Sequence, residues 1–86
     1  MARFEVLIKP SALKEIEAVS TRADRRRIVR KIQGLGDDPR PPGCRKLSGS
    51  ERYRVRQGSY RIAYAIEDEK LIVYVVKVGH RKDVYR

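Results

Sequence analysis

Arginine occupies every second position from Arg52 to Arg56, and Arg61 follows across a short turn. Alternate side chains of an extended strand point to the same face, so this spacing aligns fixed positive charges in a row. The planar guanidinium fork matches phosphate oxygens and can stabilise negative charge that develops on them during a reaction. The residue types therefore predict a phosphate-binding face whose chemistry would depend on cations and phenols.

A solvent-exposed strand face with no binding role would also carry alternating charges. Three features favour binding. The charges are nearly all arginine, tyrosines are interleaved with them as in single-strand recognition, and the acidic residues cluster elsewhere, in "IEDE" and "DD". A purely solvated face would mix both signs. The basic stretch "RADRRRIVRK" is interpreted as an exposed helix face, with phosphate or protein contact as the alternative.

Other catalytic constellations are missing from the sequence. It contains no glycine-rich phosphate loop, no Ser-His-Asp set and no obvious pair of carboxylates. The single cysteine, Cys44, excludes an internal disulfide, and with the single histidine, His80, it supplies too few soft ligands for a zinc site. No metal or cofactor is predicted. His80 remains a candidate acid or base because Asp83 is near it in the chain.

Length and charge limit the classes of protein that this chain can represent. Its 86 residues fit one domain, 1–86, and 21 basic against 11 acidic residues give a formal net charge of +10. That imbalance predicts a polyanionic partner or an acidic protein partner. No apolar run approaches the roughly 20 residues that span a bilayer, and the N-terminus does not resemble a signal peptide, so we expect a cytoplasmic protein without a membrane partner.

The hydrophobic periodicity predicts the elements that position these residues. "RFEVLIK" alternates like a strand, Ser11 is a candidate N-cap for a first helix, and Thr21 with Asp24 forms the capping-box pattern of a second. The apolar residues at helical spacing are Leu13, Ile16 and Val19 in the first helix and Ile28, Val29, Ile32 and Leu35 in the second.

Three strands with tight turns follow an irregular loop, in "RYRVR", "YRIAYAIE" and "KLIVYVVKV". The last strand is apolar on both faces, so we expect it at the centre of the sheet. The predicted fold is a small α+β domain of order β-α-α-β-β-β, with a helix hairpin packed on an antiparallel sheet. The terminal "HRKDVYR" is expected to fold back towards the arginines.

This order, together with "KLSGSERYRVRQGSYRIAY" and the terminal "VGHRKDVYR", resembles the RelE branch of the RelE/ParE superfamily of toxin–antitoxin systems. The resemblance covers essentially the whole chain. It implies a RelE-like fold and an endoribonuclease that cleaves mRNA in the ribosomal A site. The implied reaction is metal-independent attack of a ribose 2′-OH on the adjacent phosphate, which inhibits translation.

The resemblance also assigns residues. The family's strand arginine falls on Arg61, its post-strand arginine on Arg81 and its C-terminal tyrosine on Tyr85. We expect Arg61 and Arg81 to stabilise the phosphate charge and Tyr85 to act as the base, with His80 as the reserve acid or base. The residues expected to bind RNA are Lys46, Arg52, Arg54, Arg56 and Lys82.

The implied partners are a RelB-like antitoxin, the ribosome and mRNA, and the toxin–antitoxin complex would contact operator DNA through the antitoxin. Two other functions fit the same sequence. One is a ParE-like inhibitor of DNA gyrase, and the other is a non-catalytic module that binds RNA or ribosomes. The family's fold alone does not separate them.

Overall fold

The computed structural model describes residues 3–47 and 51–80. Two helices and five strands follow one another along this part of the chain. Their bounds are β1 Glu5–Ile8, α1 Pro10–Glu17, α2 Arg22–Gly34, β2 Arg45–Lys46, β3 Arg52–Gln57, β4 Tyr60–Glu67 and β5 Ile72–His80.

The five strands form one mixed sheet in the order β1-β5-β4-β3-β2. The pairs β2–β3, β3–β4 and β4–β5 are antiparallel, whereas β1 pairs with β5 in parallel. The predicted α+β class and element order are confirmed, and β5 lies inside the sheet as its two-sided apolar pattern predicted. Two details differ: the short strand β2 was not predicted, and the sheet is mixed because β1 pairs in parallel with the last strand, β5.

The helices begin where local chemistry favours a first turn. The Thr21 hydroxyl oxygen accepts a hydrogen bond from the backbone N–H of Asp24 at 3.2 Å, which confirms the predicted cap of α2. The prediction of Ser11 as a cap is wrong, because α1 already begins at Pro10 with Lys9 as its N-cap. The fixed φ of proline suits the first helical position.

The core lies between the helix pair and one face of the sheet. Ala12 and Ile16 of α1, Ile28 and Ile32 of α2, and Leu35 at the C-cap of α2 meet strand side chains there. The strand side chains of this cluster are Val55, Ile62, Tyr64, Val73, Val75 and Val78. Two residues that the helical pattern placed on the apolar stripes, Leu13 and Val29, are 46% and 38% exposed. None of the helices in the described residues has the length and apolar character needed to cross a membrane.

Two local irregularities set the register of the central strands. Gly58 adopts a φ of +60° in the two-residue turn between β3 and β4, a conformation that glycine accepts without strain. A β-bulge between β4 and β5 interrupts their pairing: Tyr64 lies opposite Val75, but Ala63 lies opposite Lys77. The bulge shifts the alternation of β5 by one residue, and therefore decides which face each later side chain occupies.

Candidate functional site

The sheet face that turns away from the helices carries a cluster of cations, and we call it the arginine face. It contains Arg45 from β2, Arg54 and Arg56 from β3, and Arg61 from β4. Their strand neighbours Val55 and Ile62 belong to the core on the other face. The predicted separation of arginines from apolar residues on β3 is therefore confirmed by the structure.

The register places these arginines in two adjacent rows across the sheet. Arg45 lies directly opposite Arg54, and Arg56 lies directly opposite Arg61. Like charges in directly opposite positions repel each other and disfavour strand pairing. An anion bound between them would offset this repulsion, as expected for a binding site.

A cleft of about 340 Å³ opens between these rows and is lined by the four arginines together with Gly43 and Val55. Arg61 is only 6% exposed and is the one charged residue among residues 3–47 and 51–80 that is classed as buried. Small residues flank it on the same face, since Arg61 pairs with Gly79 and Arg54 pairs with Ala63. The cleft can therefore admit a phosphate group close to the backbone, beside a guanidinium held in a partly dehydrated environment.

Acidic side chains on this sheet face lie at its far end. Glu5 and Glu67 both pair with Ile72, three rows of alternate residues beyond the Arg56–Arg61 pair. Charge on the face thus changes from positive at the cleft to negative at the opposite end. An anionic chain would bind at the cleft end and be repelled at the other.

The loop before β2 brings Gly43 and Arg45 to the cleft, and two polar contacts fix it to the sheet. The Tyr64 hydroxyl donates a hydrogen bond to the Pro39 carbonyl at 2.7 Å. The Arg40 guanidinium donates two hydrogen bonds to the Asp68 carboxylate, at 3.1 and 3.0 Å, and lies over the Tyr53 ring. These contacts of Tyr64 and Arg40 lie outside the cleft, yet they help to position the loop that carries Gly43 and Arg45.

The pKa values in this network reflect the same contacts. Burial raises the pKa of the Tyr64 phenol well above its ordinary value, and the nearby Cys44 thiol raises it further. The hydrogen bond from Arg40 lowers the pKa of the Asp68 carboxyl. The same bond, with a smaller contribution from Tyr53, raises the pKa of Arg40. Tyr64 thus stays protonated as a donor, while Asp68 stays ionised as an acceptor.

The structure brings some of the predicted site residues together. Arg54, Arg56 and Arg61 line the cleft, and Arg52 lies on the same face opposite Ala65. Lys46 is placed elsewhere, because it pairs with Tyr53 on the helix-covered face and forms a 4.0 Å ion pair with Glu51. Arg81, Lys82 and Tyr85 lie outside the described residues, so their roles remain predictions.

His80 lies at the end of β5, but not on the arginine face. It pairs with Tyr60, and its ring meets the Tyr60 ring edge-on at 6.0 Å between centroids. Strand β5 extends through Gly79, which the sequence pattern had treated as its end. Because the bulge shifts the register by one residue, Gly79 rather than Val78 lies opposite Arg61, and His80 lies opposite Tyr60. The register thus turns the His80 imidazole away from the cleft.

Arg45 is the cleft residue that sequence reasoning missed. It follows an irregular loop and belongs to a two-residue strand, which is too short to show any alternation. Only its pairing with Arg54 reveals its position. As for metal binding, no group of three or more His, Cys, Asp or Glu side chains converges among residues 3–47 and 51–80.

Comparison with known proteins identifies the family. A family model described as the ParE toxin of the type II toxin–antitoxin system parDE matches residues 6–85. A RelE-like toxin protein of Escherichia coli is 31% identical over 87 residues, which cover 96% of this chain and 90% of that protein. Both matches extend over nearly the whole chain.

Solved structures agree with these sequence matches. The archaeal RelE–RelB complex of Pyrococcus horikoshii OT3 contains a chain with a TM-score of 0.82 and 25% identity, covering 96% of this chain and 99% of that one. The intact RelBE toxin–antitoxin complex of E. coli contains one with a TM-score of 0.74 and 30% identity, covering 92% and 96%. These relatives were solved in complex with RelB antitoxins. The chain belongs to the RelE/ParE toxin superfamily and is a type II toxin–antitoxin toxin of the RelE family.

Proposed function

We propose that this toxin cleaves mRNA in the ribosomal A site by attack of a ribose 2′-OH on the adjacent phosphate, without a metal ion. The observation that carries the proposal is the cleft between the Arg45–Arg54 and Arg56–Arg61 pairs. A strand face that is merely solvated would not be expected to gather four guanidinium groups around one cleft. Family membership supports the same activity.

Arg61 has the environment expected of a group that stabilises a transition state. As the 2′-oxygen bonds to phosphorus and the bond to the 5′-oxygen breaks, negative charge accumulates on the phosphate oxygens. A buried guanidinium interacts with that charge more strongly than an exposed one, because little water screens it. Arg61 would therefore act on the reacting phosphate, whereas the exposed Arg56 would hold the strand.

Proton transfer requires groups other than the cleft arginines. Arginine does not lose its proton at ordinary pH, so Arg54 and Arg56 would bind RNA without relaying protons. Tyr85 is our candidate for the base that takes the 2′-OH proton. The register of His80 makes it the weaker candidate.

The ribosome would supply the alignment that an open cleft cannot. A flexible single strand held by charge alone rarely places its 2′-oxygen in line with the scissile bond. Ribosomal fixation of the mRNA would provide that orientation, which can reduce a reaction barrier by several kcal/mol. The toxin would then act in the cytoplasm, and on ribosome-bound mRNA far faster than on free RNA.

The decisive experiment mixes purified toxin with ribosomes carrying mRNA and an empty A site, and maps new RNA 5′ ends. Wild type should cleave within the A-site codon, and Arg61→Ala should slow single-turnover cleavage by roughly a hundredfold or more. Arg26→Ala is the matched control, since it removes the same charge from an exposed position on α2. If both variants slowed cleavage equally, the slowing would be due to the loss of net positive charge, and this would contradict a catalytic role for the cleft.

We further propose that a RelB-like antitoxin neutralises the toxin by covering the arginine face or displacing segment 80–86. Its acidic residues would meet Arg54, Arg56 or Arg61, and the complex would reach operator DNA through the antitoxin. A solved complex tests this directly. Exposure of all these arginines with segment 80–86 undisturbed would contradict it.

A ParE-like inhibitor of DNA gyrase is the second candidate, because the matching family model is described by the ParE name. Expression in cells separates the two activities. Truncated mRNAs without DNA breaks support the nuclease, whereas DNA breaks with intact mRNAs support gyrase inhibition. Ribosome binding without either product would indicate the non-catalytic module.

A further inference from the structure

Tyr74 places an exposed aromatic ring on the arginine face. It pairs with Ala65 of β4 and with Leu7 of β1, and Ala65 in turn pairs with Arg52 of β3. The bulge lies beyond this row, so these four residues share one face. Tyr74 is 37% exposed and Leu7 is 40% exposed.

The other tyrosines among residues 3–47 and 51–80 lie on the opposite face. Tyr64 is fully buried, and the ring of Tyr53 stacks on it at 6.0 Å between centroids. Tyr60 packs against the core. The tyrosines that alternate with arginines in the sequence therefore lie on the opposite face of the sheet, and Tyr74 is the described tyrosine that shares the face of the arginines.

Ala65 leaves space beside the Tyr74 ring. Neighbouring strands lie about 4.8 Å apart, so Arg52 on β3 and Tyr74 on β5 are separated by about 10 Å with only a methyl group between them. A planar nucleobase can enter this gap with one face against the tyrosine ring. Arg52 is then on the side where the strand's phosphates would pass.

Spacing along the strands connects this gap to the cleft. Arg56, Arg54 and Arg52 succeed one another at about 6.7 Å, which is similar to the phosphate repeat of an extended single strand. Ala65 is four residues from Arg61, or about 13 Å along β4. An RNA strand that follows the arginines from the cleft would reach Tyr74 after about two nucleotides.

We propose that Tyr74 stacks on the base of the nucleotide about two positions from the cleaved phosphate, and so serves as a substrate-binding residue. This role rests on the proposed nuclease function. An RNA fits the surface better than a protein segment does, because the ring shares its face with Arg52, Arg54 and Arg56, whose spacing suits successive phosphates. The following row contains Glu5 and Glu67, whose charges would repel the RNA backbone and end the track.

The test combines Tyr74 variants with mRNAs that each lack one base near the A-site codon, bound to ribosomes. Cleavage is measured at limiting toxin, so that the rate reports kcat/KM. Tyr74→Phe keeps the ring, Tyr74→Leu keeps apolar bulk without a ring, and Leu7→Ala is the control at the neighbouring exposed position. On intact mRNA, Tyr74→Leu should be slower than wild type by roughly 5- to 150-fold, with Tyr74→Phe and Leu7→Ala close to wild type.

Removal of the stacked base should slow wild type to the rate of Tyr74→Leu, while removal of a base elsewhere should leave their ratio unchanged. A wild-type rate for Tyr74→Leu on intact mRNA, or an unchanged ratio at every abasic position, would overturn the role of Tyr74. Weaker binding of Tyr74→Leu to ribosomes without mRNA would assign the ring to a ribosome contact and overturn it too. No cleavage by wild type would overturn the nuclease function itself, and this role with it.

Discussion

The two faces of β3 and β4 belong to the same strands but are organised by opposite rules. On the helix-covered face, Val55, Ile62 and Tyr64 are buried against α1 and α2, and the Tyr64 hydroxyl has a specific acceptor. On the arginine face, like charges occupy directly opposite positions, Arg56 against Arg61. Burial of apolar side chains on the first face stabilises the fold, whereas the second face holds like charges opposite each other, a repulsion that a bound anion would reduce.

Adjacent residues of β4 provide the largest contrast. Ile62→Ala should lower the free energy of unfolding by about 2–5 kcal/mol, because it removes a fully buried side chain and leaves a cavity. Cleavage by the fraction that remains folded should be retained. Arg61→Ala should give the reverse pattern, with cleavage lost and little change in urea unfolding. A similar loss of stability in both variants would mean that Arg61 belongs to the core.

Tyr64→Phe tests the polar contact on the covered face. Loss of the hydroxyl leaves the Pro39 carbonyl without its donor, at a cost of about 1–3 kcal/mol in unfolding free energy. Because the pKa of Tyr64 is raised in the folded state, its contribution is complete below about pH 10, the pKa of an unfolded tyrosine, and is lost as pH rises further. Unfolding measured from pH 7 to pH 11 should show a steeper alkaline loss for wild type than for Tyr64→Phe.

Arg54→Ala tests the cleft as a surface that binds phosphate. RNA or ribosome binding should weaken, and the slope of log affinity against log salt should fall by about one, because one phosphate contact is lost. The rate of the bound complex should change little. An unaltered salt slope would remove Arg54 from the RNA track.

Arg56→Gln tests the repulsion itself. Because Arg56 lies opposite Arg61, removal of its charge should raise the unfolding free energy by about 0.2–1 kcal/mol at low salt. The gain should shrink as salt screens the pair. Thermal unfolding at two salt concentrations measures this, and a loss of stability at low salt would show that the two arginines do not repel.

Asp68→Asn should have the smallest effect, since the ion pair with Arg40 is exposed. The pKa of Asp68 is lowered in the folded state, so its contribution is present above about pH 4, the pKa of an unfolded aspartate, and is lost as pH falls further. Wild type should exceed Asp68→Asn slightly in stability at pH 7, and the two should converge as pH falls through the lowered pKa of Asp68. A difference in stability between the two proteins that persists in acid would show that the ion pair is not its cause.

Local patterns in the sequence determined the elements and most of the arginine face. The period-two alternation of β3 separates Arg54 and Arg56 from Val55, because successive strand side chains point to opposite faces. Thr21 and Asp24 fix the start of α2 through a bond between residues three apart. Such features depend on neighbours in the chain, which is why the sequence by itself determined them.

Tertiary structure decided the features that depend on distant pairing. The partner of Arg45 is Arg54, nine residues away across a loop without periodicity, so only strand pairing brings Arg45 to the cleft. The bulge in β5 turns His80 away from Arg61 and puts Gly79 opposite it, and no local pattern marks the extra residue. The sequence by itself therefore determined which residues are cationic and which strands carry them. Long-range register decided which of them share a face.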